Sequence, residues 1–294
     1  MSLTDYIITV FCLIDDMLAE MKDDGLTLRR RGPAPKLADS VVLACEIIGE
    51  FLGYDTDSGI CHYFRRHHGA FFPKLLQVHR TTFTREAANL WAVKQRLYQR
   101  LLRRIACDPT LWIIDSFPMP VCRLARAYRC RVLAEKATYG YDEMAKQTFY
   151  GLRSHLQVIW PGVVVESERA PANVRDLSVA PSLTSEAQGF GLADRNYWSP
   201  RLFAELAEAG TRLMTPKKQG ASPHWSRNLT QKRRRIETVI GQFVERFQTK
   251  RVWALRRWHL CNRWLRKRFS HTLAVLLCQQ QGLSPLQFAK LITD

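Results

Sequence analysis

The chain opens with apolar residues at helical spacing. Leu3, Ile7, Val10, Phe11, Ile14, Met17, Leu18 and Met21 recur at intervals of three and four, and Gly25 stands just beyond, so residues 3–24 are expected to form an amphipathic helix. The same reasoning predicts helices over about 40–52, closed by Gly53, and over 57–68, closed by Gly69. A longer helix is expected over 84–107, with Trp91, Leu97, Leu101 and Leu102 on its buried stripe. Residues 29–36 read as a basic linker.

The period changes at Leu111. LWIIDSFP (111–118) is a short apolar run that ends in a carboxylate and is broken by proline, which suits a central strand. Residues 123–141 are expected to be irregular. Residues 149–160 then alternate, with Leu152, Leu156, Val158 and Trp160 on one face and Arg153, His155 and Gln157 on the other. Pro161 and Gly162 turn the chain into an antiparallel partner over 163–169. A helix from Asp176 to about 183, a short strand over 189–194 ending in Asp194, a helix to about 209 and a strand at 213–214 follow. A loop over 217–230 precedes a basic helix over about 232–250.

This order predicts an α/β (α+β) fold: a ribonuclease-H-like mixed sheet flanked by helices, preceded by an all-helical N-terminal domain. The expected domains are 1–107, helical and DNA-binding, 108–280, catalytic, and a tail over 281–294.

Composition adds a partner. The formal net charge is +17, and residues 217–268 hold 16 Lys/Arg against Glu237 and Glu245 alone, a balance that points to a polyanion. The eight cysteines are scattered with no Cys-x-x-Cys pair, which suits reduced thiols, and Cys61, His62, His67 and His68 fit no common zinc pattern. The apolar run over 6–14 has no basic residue before it and Asp15 and Asp16 after it, unlike a secretory signal. No stretch is long enough to span a bilayer, so a cytoplasmic, nucleoid-associated protein is expected.

Three carboxylates stand out by position. Asp115 and Asp194 each end an apolar strand, and Glu237 borders the stripe of Ile236, Val239, Ile240, Phe243 and Phe247 that would pack its helix on the sheet. In-line attack on a phosphodiester develops charge on two oxygens, and a pair of Mg²⁺ ions held by carboxylates stabilises both. Each also has a plainer reading: Asp115 as the start of a turn, Asp194 as a cap, Glu237 as the partner of Arg233 or Arg234. Asp176 rivals Asp194 for the second position. Lys232, Arg233, Arg234 and Arg235, with Arg153 and His155, are candidate phosphate contacts, and Tyr197 and Trp198 candidate stacking residues.

IDSFPMPVC (114–122), ATYGY (137–141), FYGLRSH (149–155), PANVRD (171–176), ADRNY (193–197) and RRIETV (234–239) resemble, in order and spacing, bacterial DDE transposases of the insertion-sequence 982 type. The stretch HRTTFTR (79–85) is similar to the N-terminal part of that family. The resemblance implies that Asp115, Asp194 and Glu237 form the catalytic, metal-binding triad. It also implies Mg²⁺ (two ions, with Mn²⁺ as a substitute), terminal inverted repeats and target DNA as partners, and a homo-oligomer. Nuclease activity without strand transfer, and a silent DNA-binding descendant, are the alternatives. Arg195-Asn196 stands where relatives commonly carry Lys-Gly or Gly-Gly, and Asn tolerates the left-handed backbone glycine would adopt.

Overall fold

The computed structural model describes residues 1–26, 34–216, 225–251, 254 and 256–293. The expected linker at 29–36 and the first part of the loop at 217–230 thus fall mostly outside the described residues. The chain divides into two compact units: residues 1–105 with 246–248 and 258–294, and residues 106–245 with 249–257. Among the described residues, no helix is long and apolar enough to cross a membrane.

The first unit is helical, with α1 (Leu3–Asp23), α2 (Asp39–Phe51), α3 (Asp57–His67), α4 (Pro73–Gln77), α5 (Arg80–Asn89) and α6 (Trp91–Arg103). Ser2 and Thr56 accept hydrogen bonds from Asp5 N and Gly59 N and so start α1 and α3 where free N–H groups need partners. The single helix expected over 84–107 is two. His79 Nδ1 accepts from Thr81 N and begins α5 four residues early, and Leu90 (φ −85°, ψ 9°) ends α5 as it opens α6.

The second unit is built on one sheet. Its elements are β1 (Asp108–Pro120), β2 (Thr138–Asp142), β3 (Gln147–Trp160), β4 (Val163–Pro171), α7 (Asp176–Thr184), β5 (Gly189–Leu192), α8 (Pro200–Glu208), β6 (Thr211–Met214) and α9 (Arg227–Glu245). β3 pairs antiparallel with β1 along one edge and with β2 and then β4 along the other, while β5 and β6 extend the sheet beyond β1 as parallel strands. Antiparallel strands continued by parallel ones, with helices against them, form the ribonuclease-H-like mixed sheet that the pattern predicts.

Three details differ from expectation. Residues 138–142, expected to be irregular, form β2, because the aromatic and β-branched TYGYD segment pairs with the first residues of β3. β3 is covered on both faces, so Leu152, Ser154, His155, Leu156 and Val158 are all buried despite their alternating polarity. α9 starts at Arg227, where Ser226 Oγ accepts from Leu229 N, and ends by Glu245; Gln248 (φ 47°) turns the chain away.

The last long helix, α10 (Arg257–Gln280), lies from Trp258 onward in the first unit, although the sequence reading placed it within 108–280. Arg266 is fully buried there, donating from Nε to Glu50 Oε2 at 2.6 Å and from Nη2 to Asp55 O at 3.1 Å, and it also pairs with Asp57. Lys267 pairs with Glu50, and Lys94 Nζ lies 2.7 Å from Glu46 Oε2. Part of the basic C-terminal run therefore neutralises buried acids and is not available to an outside polyanion, since buried charges must be paired.

One contact fixes the strand that carries Asp194. Trp112 of β1 donates its indole N–H to Gln188 O at 3.0 Å, and its ring lies across Gly191 of β5. A Cβ at Gly191 would stand 2.2 Å from that ring. Gly191→Ala is therefore expected to cost about 1–3 kcal/mol by overpacking, read as a lower Tm in thermal unfolding. Gly241→Ala, where a Cβ meets nothing within 4 Å, is expected to leave Tm unchanged or raise it.

Candidate active site

The parallel pairing of β1 with β5 sets Leu111, Trp112 and Ile113 opposite Phe190, Gly191 and Leu192. Continuing that register by two residues brings Asp194 beside Asp115. The two carboxyls repel each other's charge, and burial adds to the effect. Burial first, then Asp194, pushes the Asp115 carboxyl up to about 7, against a hydrogen bond from Ser116 N at 2.8 Å and the nearby Arg233. Burial likewise raises Asp194, whose Oδ1 accepts from Asn196 N at 2.8 Å.

Glu237 comes from α9, which Ile236, Val239 and Phe243 anchor in the core of this unit. Arg233, one turn earlier, joins it to the aspartates. Its Nη2 donates to Glu237 Oε1 at 2.8 Å and its Nη1 to Asp115 Oδ2 at 3.5 Å. The guanidinium thus stands between two of the three carboxylates. The plainer reading of Glu237, a salt bridge to Arg233, is the one the structure shows.

A fourth carboxyl belongs to the cluster. Asp176, in the first turn of α7, accepts from Ser116 Oγ at 3.0 Å, and Arg153 Nε lies 3.9 Å from its Oδ1. Burial raises Asp176, and its charge raises Asp115 and Asp194 in turn. The sequence offered Asp176 only as a rival for the second position and gave no sign of Ser116; the signal for both was their place in the PANVRD and IDSFP motifs.

The structure separates the candidate nucleic-acid contacts. His155 is enclosed in β3 with no exposed surface, so no phosphate reaches it, contrary to expectation. Its Nδ1 lies 3.5 Å from Tyr197 Oη and 3.7 Å from Asp176 Oδ1; burial, then Arg153, pushes the ring down to about 4, so it is neutral at pH 7 and forms no ion pair. Tyr197 is buried as well, which leaves Trp198, 36% exposed, as the candidate for stacking. Arg153 donates from Nη2 to Tyr141 O at 2.9 Å. Arg235 and Lys232 lie over the Trp160 ring, at 4.8 and 6.0 Å from its centroid, and Arg234 is exposed.

Among the described residues, no group of three or more His, Cys, Asp or Glu side chains is close enough to hold a metal ion. Arg233, which reaches both Asp115 and Glu237, is the cation beside them. The donor set nonetheless fits a hard divalent ion, because two adjoining half-buried carboxyls with raised pKa values are stabilised by positive charge.

The frame of the site is a ribonuclease-H-like sheet in which Asp115, within β1, faces Asp194, two residues past the end of the parallel strand β5, and one comparison concerns the same residues at the level of sequence. Residues 107–251, which contain Asp115, Asp194 and Glu237, match the family model described as a transposase DDE domain. The fold is similar to that in a cryo-EM structure of a piggyBac transposase synaptic complex with hairpin DNA, with a TM-score of 0.50 and 9% identity, over 96% of this chain and 78% of that one. At that identity the likeness concerns fold alone. No curated protein matches the sequence.

Two predictions follow from the electrostatics. Asp115 titrates at about 7 when folded and at the ordinary 3.8 when unfolded, so the native state holds the extra proton between those values, and stability falls as pH rises from about 4 to about 7. At about 1.4 kcal/mol per pKa unit the effect is on the order of 4 kcal/mol. Asp115→Asn is therefore expected to raise Tm at pH 8 in EDTA, with the gain shrinking towards pH 5; an equal gain at both pH values would show that the carboxyl is not perturbed. Arg233→Ala removes the competing cation, so Mn²⁺ without DNA is expected to raise the Tm of this variant more than that of the wild type. An equal or smaller rise would place the guanidinium outside the metal's path.

Proposed function

We propose that the chain is a DDE transposase of the insertion-sequence 982 type, which cleaves DNA at the ends of its element and joins the freed 3′-hydroxyl to target DNA. The observation that supports this reading is the nearness of Asp115 and Asp194 at the parallel pairing of β1 with β5, with Glu237 linked to Asp115 through Arg233. The match of residues 107–251 to the transposase DDE domain, and the six ordered motifs, support it independently.

In this reading Asp115, Asp194 and Glu237 would hold two Mg²⁺ ions, with Mn²⁺ as a substitute. Such ions supply charge stabilisation for the attacking and leaving oxygens of an in-line displacement. The residues of the chain do the positioning. Ser116, with its backbone N–H on Asp115 and its hydroxyl on Asp176, orients two carboxyls at once. Arg233 moves from the carboxylates to a DNA phosphate, a charge-assisted contact well suited to a guanidinium, while Arg234 and Lys232 hold the flanking backbone. Tyr197 and neutral His155, both buried, pack beside Asp176. Terminal inverted repeats and target DNA are the proposed partners, a homo-oligomer the proposed assembly and the nucleoid the proposed place of action.

The test is a nicking and joining assay on labelled DNA carrying the element's own ends, with Mg²⁺ or EDTA, for the wild type and Asp194→Ala. Metal-dependent joined products that disappear in the variant are expected. Nicking with no joined product would identify a nuclease without strand transfer, and binding with neither would leave a DNA-binding protein whose carboxylates are not catalytic.

A further inference from the structure

α5 divides cleanly into two halves. Phe83, Glu86 and Ala87 are buried, whereas Arg80, Thr81, Arg85 and Asn89 are exposed and Thr84 is partly so. At about 3.6 residues per turn, the outward set fills one side of the helix and the buried set the other. The one acidic residue of α5, Glu86, is turned inward, where it accepts from Lys36 N at 3.2 Å. The outward face is therefore cationic and rich in hydrogen-bonding groups, with no carboxylate of its own.

That face lines an open pocket of about 490 Å³, with Trp258 and His259 at the start of α10 across from it. An ordinary solvated helix face mixes both signs of charge, whereas this one carries Arg80 and Arg85 with Thr81, Thr84 and Asn89 and no carboxylate. Its side chains match the base-edge code of the major groove: Arg for the paired acceptors of guanine, Asn for adenine, Thr for the methyl of thymine. An exposed helix of ten residues is also of a size that the major groove admits.

We infer that α5 reads duplex DNA in the major groove, with Arg85 and Asn89 on base edges and Arg80 on a phosphate. This rests on the transposase reading only in expecting DNA as the partner. Sequence choice would then be made in the helical unit, by residues separate from the carboxylates of the sheet.

The experiment uses the full chain in EDTA, so that binding is read without cleavage. Duplexes are selected from a random-sequence pool, and the sequence enriched by the wild type becomes the probe. Arg85→Ala and Asn89→Ala, each first shown to be folded by thermal unfolding, are expected to lose about 5- to 150-fold of discrimination at one base position while keeping their affinity for unrelated duplex. Arg80→Ala is expected to weaken binding to every duplex alike and to lower the salt slope by about one. Enrichment of the same sequence with undiminished discrimination by both base-contact variants would overturn the proposal, as would no consensus at all or a preference for single strands or RNA. A wild type that nicks nothing but selects a consensus lost in these variants would refute the catalytic reading and leave this one standing.

Discussion

The site depends on one constraint: two like charges are held side by side because β1 and β5 run parallel and in register. Asp115, within β1, and Asp194, two residues past β5, stand at matching positions, and Trp112 locks that register by lying across Gly191. Folding alone gives no benefit from this pairing. Burial and mutual repulsion raise both carboxyls, and Asp176 adds a third charge, so the sheet carries local destabilisation that protonation or a nearby cation relieves. In the structure that cation is Arg233.

The two units treat the same problem differently. In the helical unit, Arg266 is fully buried among Glu46, Glu50 and Asp57; burial disfavours its charge, but those acids outweigh it and hold the guanidinium protonated, a permanent pairing whose loss would leave carboxylates stranded. Arg233 has 22% of its side chain exposed, and Glu237 has 51%. An ion pair at that exposure is worth little and exchanges readily. The buried arginine serves stability; under the proposed function the half-open one would yield the carboxylates to a metal ion.

Much of the fold was legible because the determinants are local. Apolar spacing placed α1, α2 and α3 to within a residue or two, and the turn at Pro161 and Gly162 fixed the β3–β4 hairpin. Asp115 and Asp194 were visible because carboxylates ending apolar strands are unusual. What escaped was tertiary. β2 exists through its pairing with β3, the break at Leu90 comes from packing of two short helices, and His155 is buried because a second layer covers a face its neighbours made look polar. Charge counting also misjudged the C-terminal run, since Arg266 and Lys267 are spent on internal acids that lie more than two hundred residues away in sequence.

The central claim is that these carboxylates form one metal site, and Fe²⁺ substitution tests it without any DNA. With ascorbate and peroxide, a bound Fe²⁺ generates hydroxyl radicals that cut the backbone nearest to it. The account predicts cuts near residues 115 and 194, and near 237, all suppressed by excess Mg²⁺ and lost in Asp115→Asn. Cuts elsewhere, or cuts at these positions that Asp115→Asn leaves unchanged, would contradict it.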